Sequence, residues 1–142
     1  MDVKNAYGSA RPERWLPQMA EFGRLLFDSF RQPDVAMVRA AMQSSRQLLH
    51  EVEPFIIDLR LESDPLRKRT SLTGQILNSE HPDQSTGEVD VVLLSGENLV
   101  KRTVANAQGE FELDFRPEDG LQLFINIRGQ RAIGIVLPEL ET

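Results

Sequence analysis

The sequence predicts a mainly β protein, an antiparallel β-sandwich preceded by an amphipathic arm. From residue 46 onward, short runs that alternate apolar and polar residues recur at close intervals, and stretches rich in Gly, Pro, Asn, Asp and Ser separate them. Several of these runs are β-branched or aromatic, as strands packed on one face require. The first 45 residues carry a different spacing, that of one helical face. The sequence therefore divides into an arm, residues 1–45, and a β-domain, residues 46–142.

In the arm, Pro17 to Gln32 places Met19, Phe22, Leu26 and Phe30 at helical spacing, with Leu16, Ala20 and Phe27 beside them. Pro33 would stop such a helix, because the residue before a proline avoids the α region. Asp34 to Gln43 is also helix-compatible, while Leu25-Leu26-Phe27 fits a strand equally well; helix is the reading favoured for the arm.

The β-domain begins with Gln47 to Val52, which turns through Glu53-Pro54 into Phe55 to Leu61. Thr70 to Leu77 alternates with Leu72 and Ile76 on one face, and Asn78 to Gly87 is a loop by composition. Val89 to Leu94 is a buried strand, Ser95 to Asn98 a hairpin turn, and Leu99 to Val104 the return. Glu110 to Phe115 alternates carboxylates with core residues; Leu121 to Ile127 and Ala132 to Leu137 complete the set. Gly109 follows a turn that needs positive φ, and Gly74, inside a strand, marks a bulge or a close approach. Short strands so spaced indicate a sandwich rather than a parallel sheet.

The succession Leu72-Thr73-Gly74-Gln75-Ile76, Val89 to Leu94, Thr103 to Leu113 and a Gly120-led strand resembles the carboxypeptidase regulatory-like domains. The resemblance covers residues 70–137; its distinctive piece is Asn106 to Leu113. Ala105-Asn106 stands where Thr-Asp is usual in that family, and no Tyr follows Gly120. The resemblance implies a prealbumin-like Greek-key sandwich of about seven strands, used as an accessory or binding module rather than a catalyst.

The residues exclude several chemistries. The absence of cysteine removes disulfides, thiolate metal sites and cysteine nucleophiles. Hydroxyisourate hydrolases on this kind of sandwich carry a terminal Tyr-Arg-Gly-Ser, whereas this chain ends Pro138-Glu139-Leu140-Glu141-Thr142. Intradiol dioxygenases ligate iron through two Tyr and two His, and Tyr7 is the one tyrosine here. His50 and His81 stand apart from other ligands, and Glu80, Asp83, Glu88 and Asp90 lack calcium-loop spacing. No cofactor, metal or catalytic group is expected.

Charge limits the partners. Residues 1–69 hold 11 Lys/Arg against 10 Asp/Glu, and residues 70–142 hold 5 against 12. An acidic sandwich repels a phosphate backbone, and Arg67-Lys68-Arg69 reads as a solvated turn, so no nucleic acid is expected. No apolar run is long enough to span a bilayer, and Met1 to Gly8 does not open a secretory leader. The expected compartment is the cytoplasm, or the soluble part of a longer membrane-anchored protein.

One pattern departs from a plain sandwich. Val92 and Leu94 face opposite to Val91 and Leu93, Phe124 opposite to Leu123 and Ile125, and Ile56 opposite to Phe55 and Ile57. Either the arm, with Trp15, Met19, Phe22, Leu26 and Phe27, folds over these residues, or together they form a docking surface. The function expected is a non-catalytic protein-interaction or regulatory accessory module, with a protein partner or a second copy as occupant. The alternative is a module for small ligands or carbohydrates.

Overall fold

The computed structural model of the protein describes residues 20–31 and 45–139; Trp15, Met19 and the stretch 34–43 lie outside them. Every alternating run of the β-domain is a strand. Among the described residues the strands are β1 (Glu21–Phe22), β2 (Arg24–Asp28), β3 (Ser45–Val52), β4 (Phe55–Asp64) and β5 (Arg69–Asn78). They continue with β6 (Val89–Ser95), β7 (Asn98–Val104), β8 (Glu110–Phe115), β9 (Leu121–Ile127) and β10 (Arg131–Val136). These form two five-stranded sheets, the first ordered β1-β10-β9-β6-β7 and the second β2-β3-β4-β5-β8.

The strand period of two sends alternate residues inward, and the two inner faces share one core. The second sheet contributes Leu48, Ile57, Leu59, Leu61, Leu72 and Ile76; the first contributes Val91, Leu93, Leu123, Ile125, Ile133 and Ile135. Consecutive strands change sheet at β1–β2, β5–β6, β7–β8 and β8–β9, while β3–β4–β5, β6–β7 and β9–β10 are hairpins. The β3–β4 turn is Glu53-Pro54, with a cis peptide bond.

The helix expected over Pro17–Gln32 is not what residues 20–31 form. They make two strands and a 3-10 turn, Ser29–Arg31. β1 pairs in parallel with β10, Glu21 opposite Ile133 and Phe22 opposite Gly134. After Gly23 the chain passes to the other sheet, where β2 pairs antiparallel with β3. Two physical reasons favour this. A helix would hold Gly23 in its interior, at a cost of about 1 kcal/mol, and the open edges of β10 and β3 offer backbone partners that local propensity does not weigh. Two strands thus join the eight read from the β-domain, against the seven or so that the resemblance implies.

Gly74 answers to a side chain. It lies opposite Phe111 on β8, and a Cβ there would sit 2.2 Å from that ring. The aromatic occupies the space a side chain would need, so the two residues are one packing unit. Gly109 has φ 79°, and its carbonyl accepts the Ile76 N–H at 2.9 Å. Asn106 builds this turn: its Oδ1 accepts the N–H groups of Gln108 and Glu110 at 3.0 and 2.9 Å.

Candidate interaction surfaces

The residues singled out by the sequence fall on opposite sides of the molecule. Val92, Leu94 and Phe124 lie on the outer face of the first sheet, where they form a second apolar cluster with Ala132, and Ala20 packs against it. The three are 2%, 3% and 1% exposed, so they are covered rather than presented. Phe22 reaches this cluster from β1. Its ring meets Phe124 edge to face, centroids 5.9 Å apart at 79°, the geometry that ring quadrupoles favour. It also lies over Gly134, where a Cβ would come within 2.8 Å of the ring. The other side of Phe22 remains exposed.

Phe27 and Ile56 lie on the outer face of the second sheet. Opposite residues of paired strands share a face, and register sets Phe27 opposite Leu49 and Ile56 opposite Leu77. Leu49 and Ile56 are diagonal neighbours across β3 and β4. The result is an apolar diagonal running β2–β3–β4–β5, with Phe27, Leu49 and Ile56 half-buried and Leu77 exposed. The pairing of β2 slips between Leu25 and Phe27. Leu26 is therefore the extra residue of a bulge and is exposed at the margin of the diagonal. Phe30, two residues beyond β2, is exposed as well. Elsewhere on this face the side chains are polar, among them Gln47, Asp58, Arg60, Thr73 and Glu112.

Sequence reasoning missed a polar cluster at the β2–β3 edge. Alternation on β3 sends Arg46, Leu48 and His50 inward, and Asp28 lies opposite Leu48. The Asp28 carboxylate accepts two hydrogen bonds from Arg46, Nε to Oδ1 at 3.0 Å and Nη2 to Oδ2 at 2.7 Å. It also accepts the Phe30 N–H at 3.0 Å. The Phe30 ring covers the Arg46 guanidinium at 4.5 Å, and Ser29 Oγ accepts the Gln47 N–H at 2.9 Å. Burial alone would raise the Asp28 pKa. The hydrogen bonds from Arg46 and Phe30, with the charges of Arg46 and Arg31, override it and hold the carboxyl below its ordinary value. A buried Asp in the stretch Phe27-Asp28-Ser29 with an Arg near residue 46 was the available signal, but sequence alone does not say that the two segments pair.

His50 is buried and its Nδ1 has no hydrogen-bond partner. Burial lowers its pKa, and the nearby Asp28 charge opposes that only in part. His81, the other histidine, is exposed in the loop after β5. Among the described residues, no group of three or more His, Asp or Glu side chains gathers where it could hold a metal ion. Arg67 and Lys68 belong to the β4–β5 turn and Arg69 opens β5; in the turn Asp64 Oδ1 accepts the Leu66 and Arg67 N–H groups at 3.2 and 3.3 Å. Lys101 is exposed at the edge strand β7, opposite Leu93 and thus on the core-facing side. An inward charge on an edge strand discourages sheet-to-sheet addition there. Among the described residues no helix is long and apolar enough to cross a membrane. The chain matches no family model, no curated protein and no solved structure.

Proposed function

We propose that the chain is a non-catalytic protein-interaction or regulatory accessory module, built on a prealbumin-like Greek-key sandwich of the carboxypeptidase regulatory-like kind. It docks its partner through the outer face of the second sheet and the β2 margin. The sandwich reading is supported by the shared core of the two sheets and by three changes of sheet between β5 and β9. The observation that carries the docking reading is the apolar diagonal Phe27–Leu49–Ile56–Leu77, continued at its edge by the bulge residue Leu26. A sheet whose outer face meets only water alternates cleanly apolar in and polar out, and this face departs from that rule along one line.

The test compares partners recovered by the full chain and by its Leu26→Asp and Ile56→Asp variants, with sedimentation velocity for self-association. Leu26 is exposed and Ile56 faces away from the core, so both variants should keep a melting temperature near that of the parent. Recovery of the same partner by all three proteins, or a shift in melting temperature on adding sugars, would contradict the reading and favour a ligand-binding module.

A further inference from the structure

Where the chain passes from one sheet to the other at Gly23 it forms a strap, lightly attached at its β1 end and held on β3 by β2. β1 contributes two residues to β10, and the Gly23 N–H donates to the Gly134 carbonyl at 2.9 Å. Glu21 and Arg131 pair at 2.9 Å on one side of the crossing, Arg24 and Glu51 at 2.6 Å on the other. Directly beneath lies His50: a Cβ on Gly23 would come within 3.2 Å of the His50 Cβ. The imidazole is 6% exposed, and Nδ1 has no partner.

We propose that His50 is an acid-sensitive latch for this strap: protonation of its buried imidazole loosens β1–β2 from β10 and β3. The step is the uptake of one proton from solvent: an N–H bond forms on the imidazole as an O–H bond of hydronium breaks, and no other covalent bond changes.

The surroundings give the imidazolium little support. On β3 itself Arg46 shares its inward side, four residues away and paired with Asp28, while Glu51 points to the opposite face. On β2 Asp28 is the one facing carboxylate, and its oxygens already serve Arg46 and the Phe30 N–H. Arg24 is turned outward to Glu51. The cross-strand neighbours are Leu25 on β2 and Ile57 on β4, both apolar. Asp58 on β4 lies opposite Leu49, on the outer face. Across the crossing, Glu21 and Arg131 neutralise one another.

The sign follows from the depressed pKa of the folded state. An opened or unfolded chain has His50 near its ordinary value of 6.5 and takes the proton first. The strap is therefore fully held above that value, and its stability falls as the pH drops through 6.5 toward the folded pKa. Opening removes Phe22 from Phe124 and Gly134, so acid exposes part of the second apolar cluster. Cooperative opening of such a segment below the global unfolding free energy is ordinary behaviour for lightly attached edges.

The experiment uses the full chain and amide exchange read by NMR at pH 7.5 and 5.5, corrected for intrinsic exchange chemistry. The His50 ring resonances are titrated in the same samples. Protection at Gly23 and along β2 should fall by at least about fivefold on acidification, while Leu59 and Leu72 at the core hold theirs. His50 should titrate below its ordinary value of 6.5. The His50→Gln variant, and His50→Phe as an apolar replacement beside it, should remove the pH response of β1–β2. An unchanged response in either folded variant would overturn the proposal. So would a loss spread equally over both sheets, or a His50 titration at or above 6.5.

Discussion

Replacing Phe22 and Phe124 by alanine, singly and together, measures whether β1 is anchored by its aromatic contact. Phe124 is 1% exposed, so Phe124→Ala removes a fully buried ring and should cost about 3–5 kcal/mol. Phe22 is 49% exposed; with roughly half its ring in contact, Phe22→Ala should cost about 2 kcal/mol. The edge-to-face pair contributes about 0.5–1.5 kcal/mol beyond area, and the double mutant should be less destabilised than the sum by about that amount. Urea unfolding with a common slope gives all four values. A coupling energy of zero, with Phe22→Ala itself within 0.5 kcal/mol of the parent, would refute the packing of β1 on the first sheet. The contact would then be incidental, and the strap no part of the fold.

Gly74→Ala should destabilise by about 3 kcal/mol or more, because the Phe111 ring that it displaces is locked in the core. Gly134→Ala meets the half-exposed Phe22 ring, which can swing into solvent, and should cost about 1–2 kcal/mol; chemical denaturation ranks the two. Asp28→Asn leaves Arg46 without its counter-charge at a site where Asp28 is 3% and Arg46 18% exposed. Thermal or urea unfolding should show a loss of about 2–3 kcal/mol, below the cost of a fully buried pair because Arg46 keeps some water. The folded pKa of Asp28 is lowered, so its contribution is present above the unfolded value near 3.8 and fades as pH falls through the folded pKa. Parent and Asp28→Asn should therefore converge in stability at strongly acid pH. Gly109→Ala forces φ 79° on a residue with a Cβ, 2.6 Å from the Ile76 carbonyl oxygen, and should cost about 1–3 kcal/mol in the same assay.

Much of the fold was legible because strand alternation is a local signal. Glu110–Phe115 can bury Phe111, Leu113 and Phe115 only as a strand, and so it does. The turn glycine at 109 was legible for the same reason, since positive φ is set within a few residues. The arm was not. Met19, Phe22, Leu26 and Phe30 match a helical stripe, yet residues 20–31 are held by the edges of β10 and β3, partners distant in sequence. Gly74 was recognised as a close approach, but which group approaches it depends on the β5–β8 register.

The candidate surface was legible as a pattern of doubly apolar strands and not as a place. Val92, Leu94 and Phe124 share the first sheet with Phe22; Ile56 and Phe27 share the second. Which sheet each strand joins is decided by the crossings after β5, β7 and β8, and a single sequence does not order them. The cluster of Asp28, Arg46 and His50 was hidden for the same reason, since it exists only once β2 lies along β3.

The claim that the second sheet's outer face docks a partner is tested most directly by photo-crosslinking. A photoreactive residue is placed in turn at Ile56, at Leu26 and, on the opposite sheet, at exposed Arg102. The account predicts cross-links to one partner from positions 56 and 26 and none to it from 102. Cross-links from 102 alone, or equally from all three, would contradict it.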